Sequence, residues 1–537
     1  MGDIFAPSQG GGYSVWRSKY GVINVKDYGA YGDGVHDDTA AIQAAVNAAS
    51  AAGGGKVTLP AGMFNWSSTI TVPSGVRIEG ISIGALAVTQ ATVTGFSVLS
   101  ATSTSAGFKF PTDTQVVVGV GIKGIVFLYP DQQSASTPTV YQPTINAPYY
   151  ASANYYLFDF ELTDLRFIGA YNGIDISGRP QIGNIHNIKG WCWSSLLLLD
   201  QTADIVYLDT IHENLNIYAA YYPITSHAAF DWSYQNANGM VLSMNNAVMS
   251  SKVFLSNKLR AFLFSGSSNT TVTAGWYQFS EAQTDACAID MQAVSGMNFD
   301  FCNWSNCYFS PNTSNSGTLS PTASVVSDSG AGYHGPMTFV GCTFEPGANC
   351  PTLSIAEGYM RFSACNFLRS GNSNPSFTNA GSTILEFSGC LINENNTWTF
   401  PLIPRLSMTG NNLDGLTLSL PLVTTADWII QGNTGYNPVG ALTPPASPLV
   451  SGTVYQNTHG VTIMIYQPAY ATTSGTAGSV AVALGSTSTP SALYAKQIPG
   501  ASTSAEPDVC TVRVPAGWYF SFTTTGATLL TANIQGE

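Results

Sequence analysis

Six short copies of one motif in the C-terminal half of the chain restrict its fold more than any other feature. In each copy, two apolar or small residues stand three positions apart, and most copies continue with a further apolar residue two positions later. The copies are Trp304-x-x-Cys307-x-Phe309, Phe339-x-x-Cys342-x-Phe344, Phe362-x-x-Cys365-x-Phe367, Phe387-x-x-Cys390-x-Ile392, Met408-x-x-Asn411-x-Leu413 and Ile430-x-x-Asn433. Their fourth residues are separated by steps of 35, 23, 25, 21 and 22 residues, and this period predicts a solenoid.

The pattern within each copy indicates which solenoid forms. Alternating residues put every second side chain on one face of a strand, and the two-residue interruption marks a corner between two short strands. The sequence therefore predicts an all-β fold, a right-handed parallel β-helix with stacked Phe, Cys and Asn side chains inside it. The stacked cysteines are expected to be buried thiols, because in-register side chains on parallel strands keep their sulfur atoms from turning toward each other.

The composition of the chain excludes several classes of partner. Only 9% of its residues are charged, against about a quarter in an average soluble protein, which is typical of extracellular or virion β-proteins. A formal net charge of −13 argues against a nucleic-acid partner. There is no apolar run long enough for a membrane span, and residues 1–20 lack the pattern of a secretory signal. We therefore expect export by another route, or release inside a particle.

The segment that follows residue 20 has the most specific local sequence in the chain. It reads INVKDYGAYGDG from Ile23, DDTAAIQ from Asp37 and GGGKVTLPAG from Gly53. This closely resembles the N-terminal cap of the pectate-lyase-like superfamily, which includes many phage tailspikes and polysaccharide depolymerases. The resemblance implies the β-helix fold and leaves the activity open, because this fold carries lyases, hydrolases and binding proteins alike.

The cap sequence also predicts a short helix over the open end of the first coil. Asp38 or Thr39 is a suitable N-cap for an Ala-rich helix of about a dozen residues that ends at the triple glycine. For the cap acids we favour helix capping and turn formation over catalysis or calcium binding.

The domain organisation follows from where the coil period begins and ends. We expect an N-terminal arm or attachment segment at 1–20, the capped β-helix at 21–436, a Pro-rich linker at 437–450 and a small antiparallel β-sandwich at 451–537. The sandwich is expected to trimerise or to bind glycans. An insertion at 129–156 contains six tyrosines, which could stack on sugar rings or pack against the shaft.

Charged side chains are concentrated in one part of the β-helix. Eleven of the 49 charged residues lie between Asp159 and Glu213. Three coils in this segment are 23 residues apart, so residues at equivalent positions should lie on adjacent rungs. Each corner has two positions. The first is predicted to form the column Thr163, His186 and Asp209, and the second the column Asp164, Asn187 and Thr210. The outward residues after the corner form a third column, Arg166, Lys189 and His212.

These columns form the candidate active site. We expect Asp209, with Glu213 or Glu161, to transfer protons and His186 to provide orientation. Asp159, Asp164, Arg166, Lys189 and His212 are expected to bind substrate. The alternation turns Glu213 inward, where burial would raise its pKa and suit it to act as an acid.

The chemistry of this site has several interpretations. Two carboxyl groups could hydrolyse a glycosidic bond, or a base beside a cation could eliminate across an acidic sugar, and a merely solvated face is the alternative. A second acidic cluster comprises Glu281, Asp285, Asp290 and Asp300. No cofactor or metal is expected.

The sequence therefore predicts a virion tailspike-like or tail-fibre-like protein that recognises and degrades a host cell-surface polysaccharide. The alternatives are a spike that only adheres to a receptor and, third, a secreted polysaccharide lyase. The expected partners are the cell-surface polysaccharide, two further copies in a homotrimer and other tail proteins through the arm. The expected location is the virion or the extracellular space.

Overall fold

The computed structural model describes residues 22–81, 95–132, 135–149, 155–200, 204–214, 227–243, 245–266, 274–314, 317–333, 335–368, 373–378, 383–393, 396–419, 427–435, 448–457, 462–515 and 517–536. The chain divides into two compact units, Met1–Ser373 and Asn374–Glu537. The predicted 1–20 arm and most of the 437–450 linker lie outside the described residues.

The first unit begins with the predicted cap. Its helix spans Thr39–Ala51 and buries Ile42 and Val46 completely. Asp38 is the N-cap residue, but its carboxylate accepts hydrogen bonds from the backbone N–H groups of Tyr31 (2.6 Å) and Gly32 (3.0 Å) instead of from the helix. The cap acid nearest in sequence, Asp37, accepts the N–H of Thr39. These contacts give Asp38 a role in turn formation, whereas the expectation that its side chain caps the helix was wrong.

The strands of the first unit pair in parallel with the strand one coil earlier and the strand one coil later. They are β1 Val22–Asn24, β2 Asp33–Asp37, β3 Gly55–Thr58, β4 Gly62–Trp66, β5 Thr69–Thr71, β6 Val76–Glu79, β7 Ser97–Ala101, β8 Gly107–Lys109, β9 Val117–Lys123, β10 Val126–Leu128, β11 Ile145–Ala147, β12 Leu157–Ile176, β13 Gly183–Asp200, β14 Ile205–Glu213, β15 Asn238–Ser243, β16 Ala247–Ser256, β17 Arg260–Ser265, β18 Gly275–Ser280, β19 Gln283–Asp285, β20 Ile289–Ala293, β21 Asn298–Ser305, β22 Tyr308–Phe309, β23 Ala323–Ser327, β24 Gly332–Tyr333, β25 Met337–Val340, β26 Thr343–Phe344, β27 Leu353–Ile355, β28 Tyr359–Ser363 and β29 Asn366–Leu368. Besides the capping helix, this unit has 3₁₀ turns at Val25–Tyr28 and Pro130–Gln132 and a helix at His227–Asn236. The predicted parallel β-helix is confirmed.

Four successive coils have a residue in the left-handed conformation at the second position of the corner. Asp164, Asn187, Thr210 and Lys252 occupy this position on successive coils, with φ between 52° and 58°. Asp and Asn adopt this region more readily than other residues with side chains, whereas a β-branched residue rarely does. Thr210 is therefore a strained corner in an otherwise regular column.

The interior is a ladder of aromatic side chains. The rings of Phe339 and Phe362 stack with centroids 4.9 Å apart and planes 6° apart, and Trp304 stacks on Phe339 at 6.2 Å. The sulfurs of Cys307, Cys342 and Cys365 lie beside this ladder on buried side chains. All nine cysteines of the chain are buried thiols.

The second unit contains further parallel coil strands. They are β30 Ser376–Phe377, β31 Ile384–Ser388, β32 Leu391–Asn393, β33 Thr397–Thr399, β34 Arg405–Thr409, β35 Thr417–Ser419 and β36 Asp427–Gln431. The predicted Asn column is present here. The Asn411 side-chain oxygen accepts the Cys390 N–H at 2.9 Å, and the Asn433 side-chain oxygen accepts the Asn411 N–H at the same distance. Each asparagine thus satisfies a backbone donor on the preceding rung.

The C-terminal part of this unit is the predicted antiparallel β-sandwich. Its strands are β37 Val454–Gln456, β38 Ile463–Ala471, β39 Gly478–Gly485, β40 Ser491–Ile498, β41 Asp508–Val514, β42 Tyr519–Thr525, β43 Ala527–Leu529 and β44 Asn533–Gly536. One sheet has the order β37-β42-β39-β40, and in the other β38 pairs with β41, β43 and β44. Inward residues of both sheets, such as Ile465, Val482 and Phe520, form one buried core.

Candidate functional site

The strand register brings together the corner residues that the sequence aligned. Thr163, His186, Asp209 and Ser251 lie directly opposite one another on β12, β13, β14 and β16. Adjacent parallel strands are about 4.8 Å apart, so this column occupies four successive rungs of the outer face. The predicted proximity of Asp209 to His186 is therefore confirmed, and Ser251 extends the column.

Asp209 makes three side-chain contacts. Its Oδ1 accepts a hydrogen bond from Ser251 Oγ at 2.6 Å, and its Oδ2 accepts one from Thr210 Oγ1 at 3.1 Å and lies 2.9 Å from His186 Nδ1. The pKa of the Asp209 carboxyl group is lowered, mainly by the hydrogen bond from Ser251. The hydrogen bond from Thr210 and the charges of Lys252 and His186 lower it further. Asp209 is therefore ionised at neutral pH.

His186 is held in one orientation by this contact. A carboxylate can only accept a proton from Nδ1, so Nε2 is the nitrogen left to exchange a proton with a bound molecule. Half of the His186 side chain is exposed, so a molecule on the outer face can reach it.

Glu161 lies in the neighbouring outward column, one rung from His186. Its Oε2 pairs with Arg77 Nη1 at 3.0 Å, and its Oε1 accepts a hydrogen bond from Thr163 Oγ1 at 3.2 Å. Arg77 reaches across one intervening rung, where Gly121 stands opposite both residues. A Cβ atom on Gly121 would lie 3.1 Å from the backbone oxygen of Glu161 and 3.6 Å, an ordinary contact, from the Arg77 side chain.

Asp164 occupies the second corner position on β12, two rungs from Asp209 on β14. The Asn187 side-chain amide donates to its Oδ1 at 2.7 Å, and Lys123 Nζ lies 3.9 Å from its Oδ2. Arg77 and Lys123 are thus two partly exposed cations beside the carboxylates of the site. Asp159, the first residue of the predicted patch, is exposed and has a positive φ of 53°.

Glu213 faces the interior, as the alternation predicted, but its surroundings do not suit contact with a polysaccharide. The side chain is completely buried, and its Oε1 pairs with the buried Lys258 ammonium at 2.8 Å and accepts the Cys192 N–H at 2.9 Å. Burial raises its pKa, and the Lys258 charge opposes that rise. A carboxyl group without solvent access cannot protonate a glycan on the outer face, so we assign Glu213 a structural role.

The strip Arg166, Lys189 and His212 has the predicted register, but not the predicted exposure. Arg166 retains only 4% of its accessible surface, because the outer face is covered at its coil, where Val126 and Ile168 are buried as well. Lys189 and His212 remain partly exposed, and His212 stacks on Phe254. Burial, and then the Lys189 charge, lowers the pKa of His212. Arg166 therefore stands in the outward column as predicted, but the expectation that it is accessible to substrate was wrong.

The second acidic cluster does not form one surface. Glu281, Asp285 and Asp300 are exposed, whereas Asp290 is completely buried in the β-helix. In the tyrosine-containing insertion, Tyr129 and Tyr141 are buried with their rings 4.9 Å apart, which favours packing over sugar stacking for these two.

The sequence analysis missed three residues of the site, Lys123, Arg77 and Ser251, although their positions in the coil pattern could have indicated them. Lys123 occupies the same corner position as Thr163, one rung earlier, but the 40-residue step between these coils concealed it. Arg77 alternates with the buried Val76 and Ile78 two rungs before Glu161. Ser251 follows Ser250, which stands where the other coils have Leu or Ile, and this substitution concealed the motif.

Two further observations concern the described part of the chain. No group of three or more His, Cys, Asp or Glu side chains there could hold a metal ion. None of the helices within those residues is long and apolar enough to cross a membrane.

Comparison with known proteins supports the resemblance noted in the cap. A family model described as rhamnogalacturonase A/epimerase, pectate lyase-like, matches residues 22–127. Together with the parallel strand pairing, this match supports a parallel β-helix that resembles the pectate-lyase-like type. The matched segment includes Arg77 and Lys123, and it ends before Glu161, His186 and Asp209.

Individual proteins are similar to this chain either over a short segment or at low sequence identity. Mannuronan C5-epimerase AlgE1 of Azotobacter vinelandii is 56% identical over 68 residues, which are 11% of this chain and 5% of the epimerase. The chain thus spans a small part of the length of this relative. The bacteriophage phi29 gene product 12 N-terminal fragment is 12% identical with a TM-score of 0.46, over 77% of this chain and 71% of the fragment. The tailspike protein of Acinetobacter phage vB_ApiP_P1 is 14% identical with a TM-score of 0.34, over 96% and 88% of the two chains.

Proposed function

We propose that this pectate-lyase-like β-helix belongs to a virion tailspike-like protein that binds a host cell-surface polysaccharide on its outer face. The protein cleaves the polysaccharide with His186 as the reacting side chain. The observation that carries the proposal is the Asp209–His186 pair on an exposed column, one rung from the Glu161–Arg77 pair. A polymer lying on this face would meet an oriented imidazole and two cations together.

The geometry favours proton abstraction over hydrolysis by two carboxyl groups. Hydrolysis requires one carboxyl group that stays protonated, but the pKa of Asp209 is lowered. His186 can instead act as a base through Nε2, while Asp209 orients it and stabilises the imidazolium that forms. These roles for Asp209 and His186 are the reverse of those expected from the sequence.

The cations of the site suit an acidic sugar. Removing the proton next to a sugar carboxylate builds negative charge on that carboxylate, and a guanidinium or ammonium group stabilises it. Arg77 and Lys123 are exposed enough to provide this contact if the substrate displaces Glu161 or Asp164 from them. The proposed reaction is therefore elimination across an acidic polysaccharide. His186 Nε2 takes the proton next to the sugar carboxylate, a carbon–carbon double bond forms as the neighbouring glycosidic C–O bond breaks, and the leaving oxygen takes a proton from the imidazolium or from water.

A purely adhesive spike is the second candidate, and one observation favours it. The charged side chains of the face already satisfy one another in the Arg77–Glu161 and Lys123–Asp164 pairs, as on an ordinary solvated surface. Such a face could bind a glycan without acting on it.

Incubation with the purified surface polysaccharide of the host distinguishes these functions. Elimination produces an unsaturated sugar that absorbs in the ultraviolet together with each new reducing end. New reducing ends without that absorbance would indicate hydrolysis. Binding without any new ends would indicate adhesion and contradict the cleavage proposal.

The assembly and location form a further part of the proposal. We propose a homotrimer on a virion or in the extracellular space, joined to tail proteins through residues 1–20, with the C-terminal sandwich mediating trimerisation or glycan binding. The support is the low charge content and the resemblance of the cap to a superfamily that includes tailspikes. Light scattering should give three times the chain mass of 56.6 kDa, and a single-chain mass at micromolar concentration would contradict the trimer.

A further inference from the structure

A column of polar side chains lies inside the β-helix, away from the candidate site. Asp290 on β20 faces Ser324 on β23, because Ile289 pairs with Ala323 and Met291 with Val325. Ser324 in turn faces Thr352, just before β27, because Val325 pairs with Leu353. All three side chains are completely buried. An acid and two hydroxyl groups therefore occupy three successive rungs of the interior.

Within the described residues, no side-chain hydrogen bond of acceptable geometry joins these groups to the protein. This holds for both carboxyl oxygens of Asp290, for Ser324 Oγ and for Thr352 Oγ1, although the hydroxyl groups of Thr284 and Ser324 lie near the acid. Successive rungs are about 4.8 Å apart, and a direct hydrogen bond needs about 2.7–3.2 Å. A water molecule between two rungs can bond to both, and buried water typically satisfies polar groups of this kind.

The surroundings of Asp290 favour its neutral form. In the part of the chain that the structure describes, the ionisable groups close enough to interact with it are the phenol of Tyr234, the thiols of Cys287 and Cys350 and the carboxyl group of Asp285. None of these is a cation. Lys258, which acts on Cys287, is bound to Glu213.

Burial is the dominant influence on the acid. It raises the pKa of Asp290 well above its ordinary value, while the nearby hydroxyls of Thr284 and Ser324 act in the opposite direction. An unpaired carboxylate in an apolar interior is unfavourable, and a proton is the simplest way to neutralise it.

We propose that the interior of these coils is a water-binding site, in which ordered water is held between the protonated carboxyl group of Asp290 and the hydroxyl groups of Ser324 and Thr352. The site is independent of the proposed polysaccharide chemistry. It also makes the stability of this part of the β-helix decline as the pH rises.

The sign of the pH effect follows from proton linkage. The folded chain holds the Asp290 proton over a pH range in which the unfolded chain has released it. The stabilising contribution is therefore complete below the unfolded pKa, about 3.9, and declines as the pH rises toward the folded pKa. Asp290→Asn keeps the shape of the side chain and removes the ionisation, so it should not show this decline.

Infrared difference spectroscopy tests the protonation state directly. The spectrum of the wild type minus that of Asp290→Asn at neutral pH should contain the carbonyl band of a protonated carboxylic acid. A carboxylate band instead would overturn the proposal. A crystal structure should show water density in contact with Asp290, Ser324 and Thr352, and an interior without such density would also overturn it.

The dependence of the melting temperature on pH is a second test of the protonated carboxyl group. The melting temperature of Asp290→Asn minus that of the wild type should grow with pH, by roughly 1–2 °C per pH unit above pH 5. A difference that stays constant with pH contradicts the protonated acid. A saturable rise of the wild-type melting temperature with sodium, potassium or calcium chloride, absent in Asp290→Asn, would show a bound cation and contradict the water site.

Two milder variants keep the proposal testable if Asp290→Asn does not fold. Ser324→Ala and Thr352→Val each remove one hydroxyl group and leave the acid in place, so each should move the protonated carbonyl band. Ser250→Ala is the matched control, because Ser250 is another buried serine with an unpartnered hydroxyl group on a different coil. A band that moves equally in the control, or in none of the variants, overturns the proposal.

Discussion

The Nδ1 atom of His186 lies 2.9 Å from Oδ2 of Asp209 on the adjacent strand, with half of the imidazole exposed on the outer face of the β-helix. A second histidine in the chain makes the same contact in a different place. His36 Nδ1 lies 2.7 Å from Asp33 Oδ2 in the cap, where both side chains are also partly exposed. The chain therefore provides its own control for any function ascribed to the His186 pair.

Ser251→Ala should reduce stability at neutral pH and have little effect in acid. The Ser251 hydroxyl is the main cause of the lowered pKa of Asp209, so this bond stabilises the folded chain above the unfolded pKa and is lost as the pH falls through the folded pKa. Because about a third of the Asp209 side chain is exposed, we expect a loss below about 1 kcal/mol at pH 7.

Thermal or chemical unfolding at pH 7 and pH 3 measures this effect. Ser280→Ala is the control, because Ser280 stands one rung further along the same column and bonds a backbone carbonyl instead. An equal loss for Ser251→Ala at both pH values would show that the bond to the Asp209 carboxylate is not its cause.

Lys258→Met should destabilise the β-helix strongly, by about 3–5 kcal/mol, because it leaves the Glu213 carboxyl group buried without its partner. The double variant Glu213→Leu, Lys258→Met should recover much of this loss, since both buried charges are then absent. Lys496→Met is a control in the exposed Lys496–Asp508 pair of the sandwich and should cost less than about 1 kcal/mol. Denaturant unfolding measures the stability of all three variants. A double variant no more stable than Lys258→Met would show that the unpaired Glu213 carboxyl group is not the cause of the loss.

Thr210→Asn should raise the melting temperature. Thr210 has a φ of 55°, a region that costs an L-residue roughly 1–2 kcal/mol and that asparagine adopts more readily. Asparagine already occupies this corner one rung earlier, at Asn187. Thr338→Asn, on the outer face of β25, is the control and should not stabilise. A loss of melting temperature in Thr210→Asn would mean that the Thr210 hydroxyl bond to Asp209 outweighs the backbone strain.

The 23-residue spacing was sufficient to place His186 beside Asp209, because a solenoid converts sequence period into rung-to-rung contact. The spacing could not reveal what covers a coil from outside, and Arg166 is buried for that reason. It also could not pair Glu161 with Arg77, 84 residues earlier, since the step between their coils is irregular. The inward turn of Glu213 was predictable from alternation, whereas its pairing with Lys258 depends on a residue outside the aligned coils.

Cleavage by matched histidine variants tests the proposed function most directly. His186→Asn and His36→Asn each remove one imidazole from an exposed His–Asp pair, and only His186 lies at the proposed site. With the purified host polysaccharide as substrate, His186→Asn should lower the rate of unsaturated-sugar release by about 10²- to 10⁴-fold, as expected for loss of a general base, while His36→Asn keeps the wild-type rate. Equal rates for wild type, His186→Asn and His36→Asn would contradict the assignment of His186 as the base.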